Sequence, residues 1–227
     1  NGRWNWSSGV EVSHREFRDV TPGALTPELL GQGLQLKHLL QLNYEILRAP
    51  EHRFVVTTGT STEVGRTWSD PSHAFAKLQG SLLGRWFPQS SGDDYETILG
   101  IRAGKTLGEM PFDELFILGV ERDNRLWLRA HIGTRDGRKG NAPMGRKYFL
   151  ANWELDKRVH TNEFFSLKLG PFLDTGKITD PFAGFGSHKW LWDLGAQAKV
   201  RVLGVGFVFS YGKDLRSGNN AFYVSMF

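Results

Sequence analysis

The chain of 227 residues contains no cysteine, which excludes a disulfide framework and any thiolate metal centre. No run approaches the roughly 18 consecutive apolar residues of a membrane-crossing helix, and no secretory leader is visible. Methionine is scarce, at three residues, and no segment sustains the ~3.6-residue apolar period of an amphipathic helix. Thr26–Gln32 offers at most one turn inside a loop. The seven histidines (His14, His38, His52, His73, His131, His160 and His188) form no His-x-His or His-x-x-x-His pair. The serine between Gly59 and Gly65 does not match a nucleophile elbow, and the glycine runs open no helix that would cradle phosphate. Asp93 and Asp94 sit in a short polar turn, a usual place for carboxylates. The expectation is therefore a non-enzyme, with no catalytic residue, no cofactor and no metal.

The net charge is +4 and the calculated isoelectric point about 9.4. Nucleic-acid binding requires basic residues clustered on one face, interleaved with aromatics in many modules. The densest basic stretch, Arg135–Lys147, is glycine-rich and lacks aromatics, so it reads as a loop and implies no nucleic-acid partner.

What the chain does contain is 27 glycines, 16 phenylalanines and 8 tryptophans, and an apolar period of two repeated from end to end. Leu34, Leu36, Leu40, Leu42, Tyr44 and Ile46 fall on one face, against Gln35, Lys37, Gln41, Asn43 and Glu45. Ala74, Ala76, Leu78, Leu82 and Trp86 oppose Lys77, Gln79, Ser81 and Arg85. Thr97, Leu99, Ile101 and Ala103 oppose Glu96 and Arg102. Phe149, Ala151, Trp153 and Leu155 oppose Asn152, Glu154 and Asp156. Trp192, Leu194, Ala196, Ala198, Val200 and Val202 oppose Asp193, Gln197, Lys199 and Arg201. This pattern predicts about ten antiparallel strands, over residues 3–17, 33–47, 53–67, 73–87, 94–107, 146–159, 163–178, 190–203, 205–215 and 220–227, with a long loop over 109–145.

Strands of about 10–15 residues exceed the usual five or six of soluble sheets and match the roughly 9–11 of tilted bilayer-spanning strands. Short turns alternate with long connections (residues 18–33, 109–145 and 179–189), as in a transmembrane β-barrel. Aromatics near strand ends (Trp4, Trp6, Trp68, Trp86, Phe87, Trp190, Trp192) suit interfacial girdles. Because Trp4 and Trp6 already read as strand, the chain is expected to be part of a longer protein. An interior lined with mid-strand charges would be wet or plugged by protein.

The longest connection holds apolar, strand-like pieces at Leu115–Leu118 and Leu126–His131, which ought to fold back onto something. Asp174 (with Phe172 and Gly176) and Glu154 are expected to point inward. An arginine at the tip of an inserted loop would suit such a carboxylate, because its fork bonds bidentately and stays charged.

These residues resemble the barrel of the BamA-type superfamily, which includes outer-membrane insertases and two-partner-secretion transporters. That family carries a [V/L]RG[F/Y] motif on its sixth outer loop, then a glutamate on the next strand, then an FxDxG strand. Leu128 and Arg129 occupy the loop motif, with Ala130 and His131 in place of its glycine and aromatic. Glu154 follows, and Phe172, Asp174 and Gly176 match FxDxG. The resemblance covers residues 94–227 well and implies an Arg129–Asp174 lock inside the barrel. It also implies that this chain supplies about the last ten of some sixteen strands, without the POTRA modules that normally receive substrate. The implied work is assistance to outer-membrane protein insertion or polypeptide translocation in the outer membrane. The implied partners are membrane lipids including lipopolysaccharide, client polypeptides and accessory envelope proteins. The alternatives are a barrel that anchors or exports an attached passenger domain, and a channel or structural barrel. Gly206, Gly212 and Gly218 would permit kinking near a weak closing seam. Phe227 and Tyr223 fit the aromatic-terminated last strand of such barrels.

Overall fold

Alternating apolar and polar residues force neighbouring strands to pair with like faces on the same side, because a one-residue slip would turn every side chain over. In the computed structural model, which describes residues 3–18, 32–69, 72–88, 94–121, 124–135, 138–181, 186, 187 and 189–226, this produces one all-β architecture. The strands are β1 (Trp4–Arg15), β2 (Gly33–Ala49), β3 (Phe54–Trp68), β4 (His73–Trp86) and β5 (Tyr95–Gly108). Four two-residue strands follow in the long connection: β6 (Phe116–Ile117), β7 (Thr134–Arg135), β8 (Arg138–Lys139) and β9 (Met144–Gly145). The chain continues with β10 (Lys147–Thr161), β11 (Phe165–Thr179), β12 (Leu191–Val202), β13 (Val205–Asp214) and β14 (Asn220–Met226). Ten strands form a single antiparallel sheet in the order β1-β2-β3-β4-β5-β10-β11-β12-β13-β14, while β6 pairs with β9 and β7 with β8. The sheet is not closed: among the described residues β1 and β14 are its edges. Phe227, Asp93, His188 and residues 26–31 lie outside the described residues.

The sheet curls around the connection between β5 and β10. Arg15 of β1 forms ion pairs with Asp113 and Glu114, and Tyr223 of β14 meets Trp127 edge-on at 5.9 Å between ring centroids. Ten flat strands at ~4.8 Å spacing would span about 43 Å, so one compact insertion touches both edges only if the sheet is concave. The insertion contributes its own core. Phe116, Leu118, Leu126 and Leu128 pack with Tyr148, Leu150, Ile178 and Leu191 of the inner face. A second cluster joins Phe75 of β4 to Met110, Leu115 and Met144.

The opposite face stays apolar and uncovered. Val10, Leu36, Val64, Leu78, Leu99, Leu169, Leu194 and Phe222 are all exposed, which spreads bare hydrocarbon across the width of the sheet. No helix among the described residues is long and apolar enough to cross a membrane.

Local departures from the sequence reading have local causes. The register shifts between Glu45 and Leu47, so Leu47 rather than Ile46 stands opposite Val56 and continues the apolar face. An extra residue of this kind is a β-bulge, which strict period-two counting misses. Leu126–His131 is not a strand. Its carbonyls serve turns, with His131 N–H donating to Leu128 O at 3.0 Å and Gly119 N–H to Leu126 O at 2.9 Å. The β12–β13 connection is a two-residue turn in which Leu203 and Gly204 have φ of 49° and 88°. Positive φ at both central residues is the primed geometry whose twist matches a hairpin.

Candidate functional site

The insertion brings Arg129 to the inner face over β10, β11 and β12. Register sets the receiving surface: Asn152 of β10 stands opposite Asp174 of β11, and Asp174 stands opposite Asp193 of β12. Arg129 donates from Nε to Asp174 Oδ2 at 2.8 Å and from Nη2 to Asp174 Oδ1 at 2.7 Å, a two-pronged fork. Its backbone N–H also donates to Asp174 Oδ2 at 3.2 Å. Nη1 donates to Glu154 Oε1 and Gln197 Oε1, each at 2.8 Å. The guanidinium lies 3.7 Å from the centroid of the Phe172 ring, so the motif phenylalanine forms the floor on which the fork rests. Arg129 is 3% exposed and Asp174 0%. Burial alone would weaken the arginine's hold on its proton. The Asp174 and Glu154 carboxylates outweigh it and raise the pKa further.

Around this pair the remaining valences are filled. Asn152 Nδ2 donates to Asp174 Oδ1 at 2.7 Å and to Trp127 O at 2.8 Å, and Asn152 Oδ1 accepts from Arg102 at 3.1 Å. Lys199 bridges Glu154 and Asp156 at 2.6 Å each, and Gln197 Nε2 donates to both carboxylates at 2.9 Å. Charged groups this deep are tolerable only with such complete pairing.

Leu128, Arg129, Glu154, Phe172, Asp174 and Gly176, singled out in the sequence, therefore lie where the insertion meets the inner face. Leu128 enters the insertion's core fully buried. A Cβ on Gly176 would stand 3.0 Å from the Leu118 side chain, so the motif glycine makes room for the insertion. Gly212 has a similar role: a Cβ there would lie 2.9 Å from the Arg129 carbonyl group. Tyr223, one of the two residues matched to the aromatic-terminated last strand, lies on the inner face with its ring edge-on to Trp127.

Sequence reasoning missed the network partners Asn152, Gln197 and Lys199, which carry no motif of their own. It also missed a second anchorage, at the start of the insertion. Glu114 accepts from Lys37 Nζ at 2.9 Å and lies 3.5 Å from Lys77 Nζ and 3.6 Å from Arg15 Nη2. Asp113 pairs with Arg15. Burial would raise the Glu114 pKa, but Lys77, Lys37 and Arg15 together hold it below the ordinary carboxylate value.

Fold and site together define an antiparallel, barrel-like sheet whose concave side is filled by its own longest connection, fastened at two ends by ion pairs. No family model matches the chain, and no curated protein does. Among solved structures it is similar to CdiB from Escherichia coli, at 12% identity and a TM-score of 0.49, over 98% of this chain and 49% of that one. The chain spans about half the length of that protein.

Proposed function

We propose that the chain is the C-terminal part of an outer-membrane β-barrel resembling the BamA-type superfamily, and that it assists insertion of outer-membrane proteins or passage of secreted polypeptide. The observation that carries this reading is the Arg129–Asp174 fork. It lies at the positions of the family's loop and strand motifs and faces the inside of a sheet whose outside is bare hydrocarbon. A soluble monomer rarely exposes an apolar patch of more than a few hundred Å². In this reading lipid, including lipopolysaccharide in the outer leaflet, covers that face, and the ten strands are the last of about sixteen. The client is polypeptide because an open strand edge offers unpaired N–H and C=O groups that template another strand. Accessory envelope proteins would present the client, and no nucleic acid or cofactor takes part.

The test is depletion of the full-length protein from its own cell, followed by quantitative comparison of outer-membrane and secreted proteins. The expected result is loss of a defined set of polypeptides, with the protein itself in the outer membrane and soluble only in detergent. An unchanged protein profile would overturn the reading. A loss of ion conductance with that profile intact would favour a channel.

A further inference from the structure

The same loop tip carries a second arrangement that the Arg129 lock does not use. Asp193 of β12 and Asp214 of β13 are direct cross-strand partners on the inner face, continuing the row Asn152–Asp174–Asp193–Asp214 over four adjacent strands. Carboxylates placed directly opposite each other repel. Asp174 is compensated by Arg129. Among the described residues, the only side chain in ion-pair contact with Asp193 or Asp214 is His131, with Nδ1 at 3.1 Å from Asp193 Oδ2 and Nε2 at 3.7 Å from Asp214 Oδ2. Asp193 is 0% exposed, and while its Oδ2 accepts the Ala130 N–H at 2.7 Å, its Oδ1 has no hydrogen-bond partner. A buried carboxylate oxygen without a donor is costly.

We propose that His131, Asp193 and Asp214 form a binding site for a divalent first-row transition cation of the zinc type. One donor atom from each of the three residues lies within 4.8 Å of the other two. A tetrahedral zinc ion with ligand bonds of ~2.1 Å wants its donors roughly 3.4 Å apart; because the ion takes only one ring nitrogen, His131 would release one of its two carboxylate contacts and the donors would close by up to about 1.4 Å. One imidazole with two carboxylates is a donor set suited to zinc, cobalt or manganese; an imidazole disfavours calcium and magnesium, which take oxygen ligands. The fourth position has room. A cavity of about 150 Å³ adjoins the cluster, lined by His131, Asp214, Asn141, Asn219 and Asn220 among others, and admits the water that would complete the coordination. The ion would fasten the tip of the insertion to β12 and β13, one strand from the β14 edge. Its effect is to neutralise the repelling pair that the register creates. Sequence spacing could not reveal the site, because its ligands are brought together only by the loop's insertion and by strand register.

The test uses the full-length protein in detergent, stripped with chelator and titrated with zinc in calorimetry and with cobalt in visible absorption. The expected result is uptake of a single equivalent, cobalt d–d bands of low-symmetry coordination, and a rise in melting temperature with zinc. Asp214→Asn, which keeps the shape of the strand end, and His131→Tyr, which supplies the family's aromatic, should each weaken binding by about 10–100-fold or more while the β-sheet circular dichroism stays intact. The proposal is overturned if the stripped wild type takes up no more ion than His131→Tyr, or if Asp214→Asn binds as tightly as wild type. It is equally overturned if zinc leaves the melting temperature unchanged while pH alone shifts it. These readouts do not depend on what the barrel transports.

Discussion

Replacing Arg129 by alanine isolates the contribution of the fork. Asp174 would lose the Nε and Nη2 donors and keep only Asn152 Nδ2 and the loop's backbone N–H, while remaining fully buried. Glu154 would be much less affected, since Lys199 and Gln197 still reach it. The loss is therefore concentrated on one uncompensated carboxylate, for which about 3–5 kcal/mol is expected. At roughly 2–4 °C per kcal/mol for a chain of this size, the melting temperature should fall by about 6–20 °C. The assay is thermal unfolding of the purified protein in detergent, with protease susceptibility of residues 109–146 read in parallel. Arg129→Lys should fall between the two, because it keeps the charge but cannot form the fork. Removing both charges in Arg129→Ala/Asp174→Asn should recover a large part of the loss, since the orphaned carboxylate is gone. The reasoning is refuted if Arg129→Ala lies within about 0.5 kcal/mol of wild type, or if the two substitutions are simply additive.

Leu128→Ala should cost about 2–5 kcal/mol in the same melt, as a fully buried leucine leaves a cavity between the insertion and β10–β12. Gly212→Val should force the loop tip off β13, at about 1–3 kcal/mol with faster proteolysis of the insertion, because the added carbons meet the Arg129 carbonyl group. Glu114 has its pKa held below 4.5 in the folded protein. Its stabilising contribution is thus complete above that value and lost as pH falls through the lower folded pKa. Acid titration of stability should accordingly be shallower below about pH 4.5 in Glu114→Gln than in wild type, and identical slopes would sink that assignment.

The strands were legible because their signal is local. In β2, for example, Leu34, Leu36 and Leu42 announce the outer face at every second residue, and no distant partner is needed to read it. The bulge after Glu45 was not legible, since nothing in the composition marks where one residue is left out of the pairing. The Arg129–Asp174 pair could be read because its two short motifs stand in a fixed order. Gln197 and Asn152 act only through their position on neighbouring strands. The Glu114 cluster joins residues from β1, β2, β4 and the insertion, and each of its lysines looks like an ordinary polar-face residue in isolation. Tyr223 faces inward because register sets it opposite the buried Ser210 of β13, and its contact with Trp127 is one that no reading of the last strand alone contains.

The two anchorages of the insertion are of opposite electrical sense. At its start the loop brings acids, Asp113 and Glu114, to bases of the sheet at Arg15, Lys37 and Lys77. At its tip it brings the base Arg129 to sheet acids at Asp174 and Glu154. The insertion is thus keyed like a polarised plug. Seated the other way round, it would set acid against acid and arginine against lysine within one low-dielectric interior, where like charges repel most strongly. The charges do more than hold the segment in place: they discriminate between its two orientations.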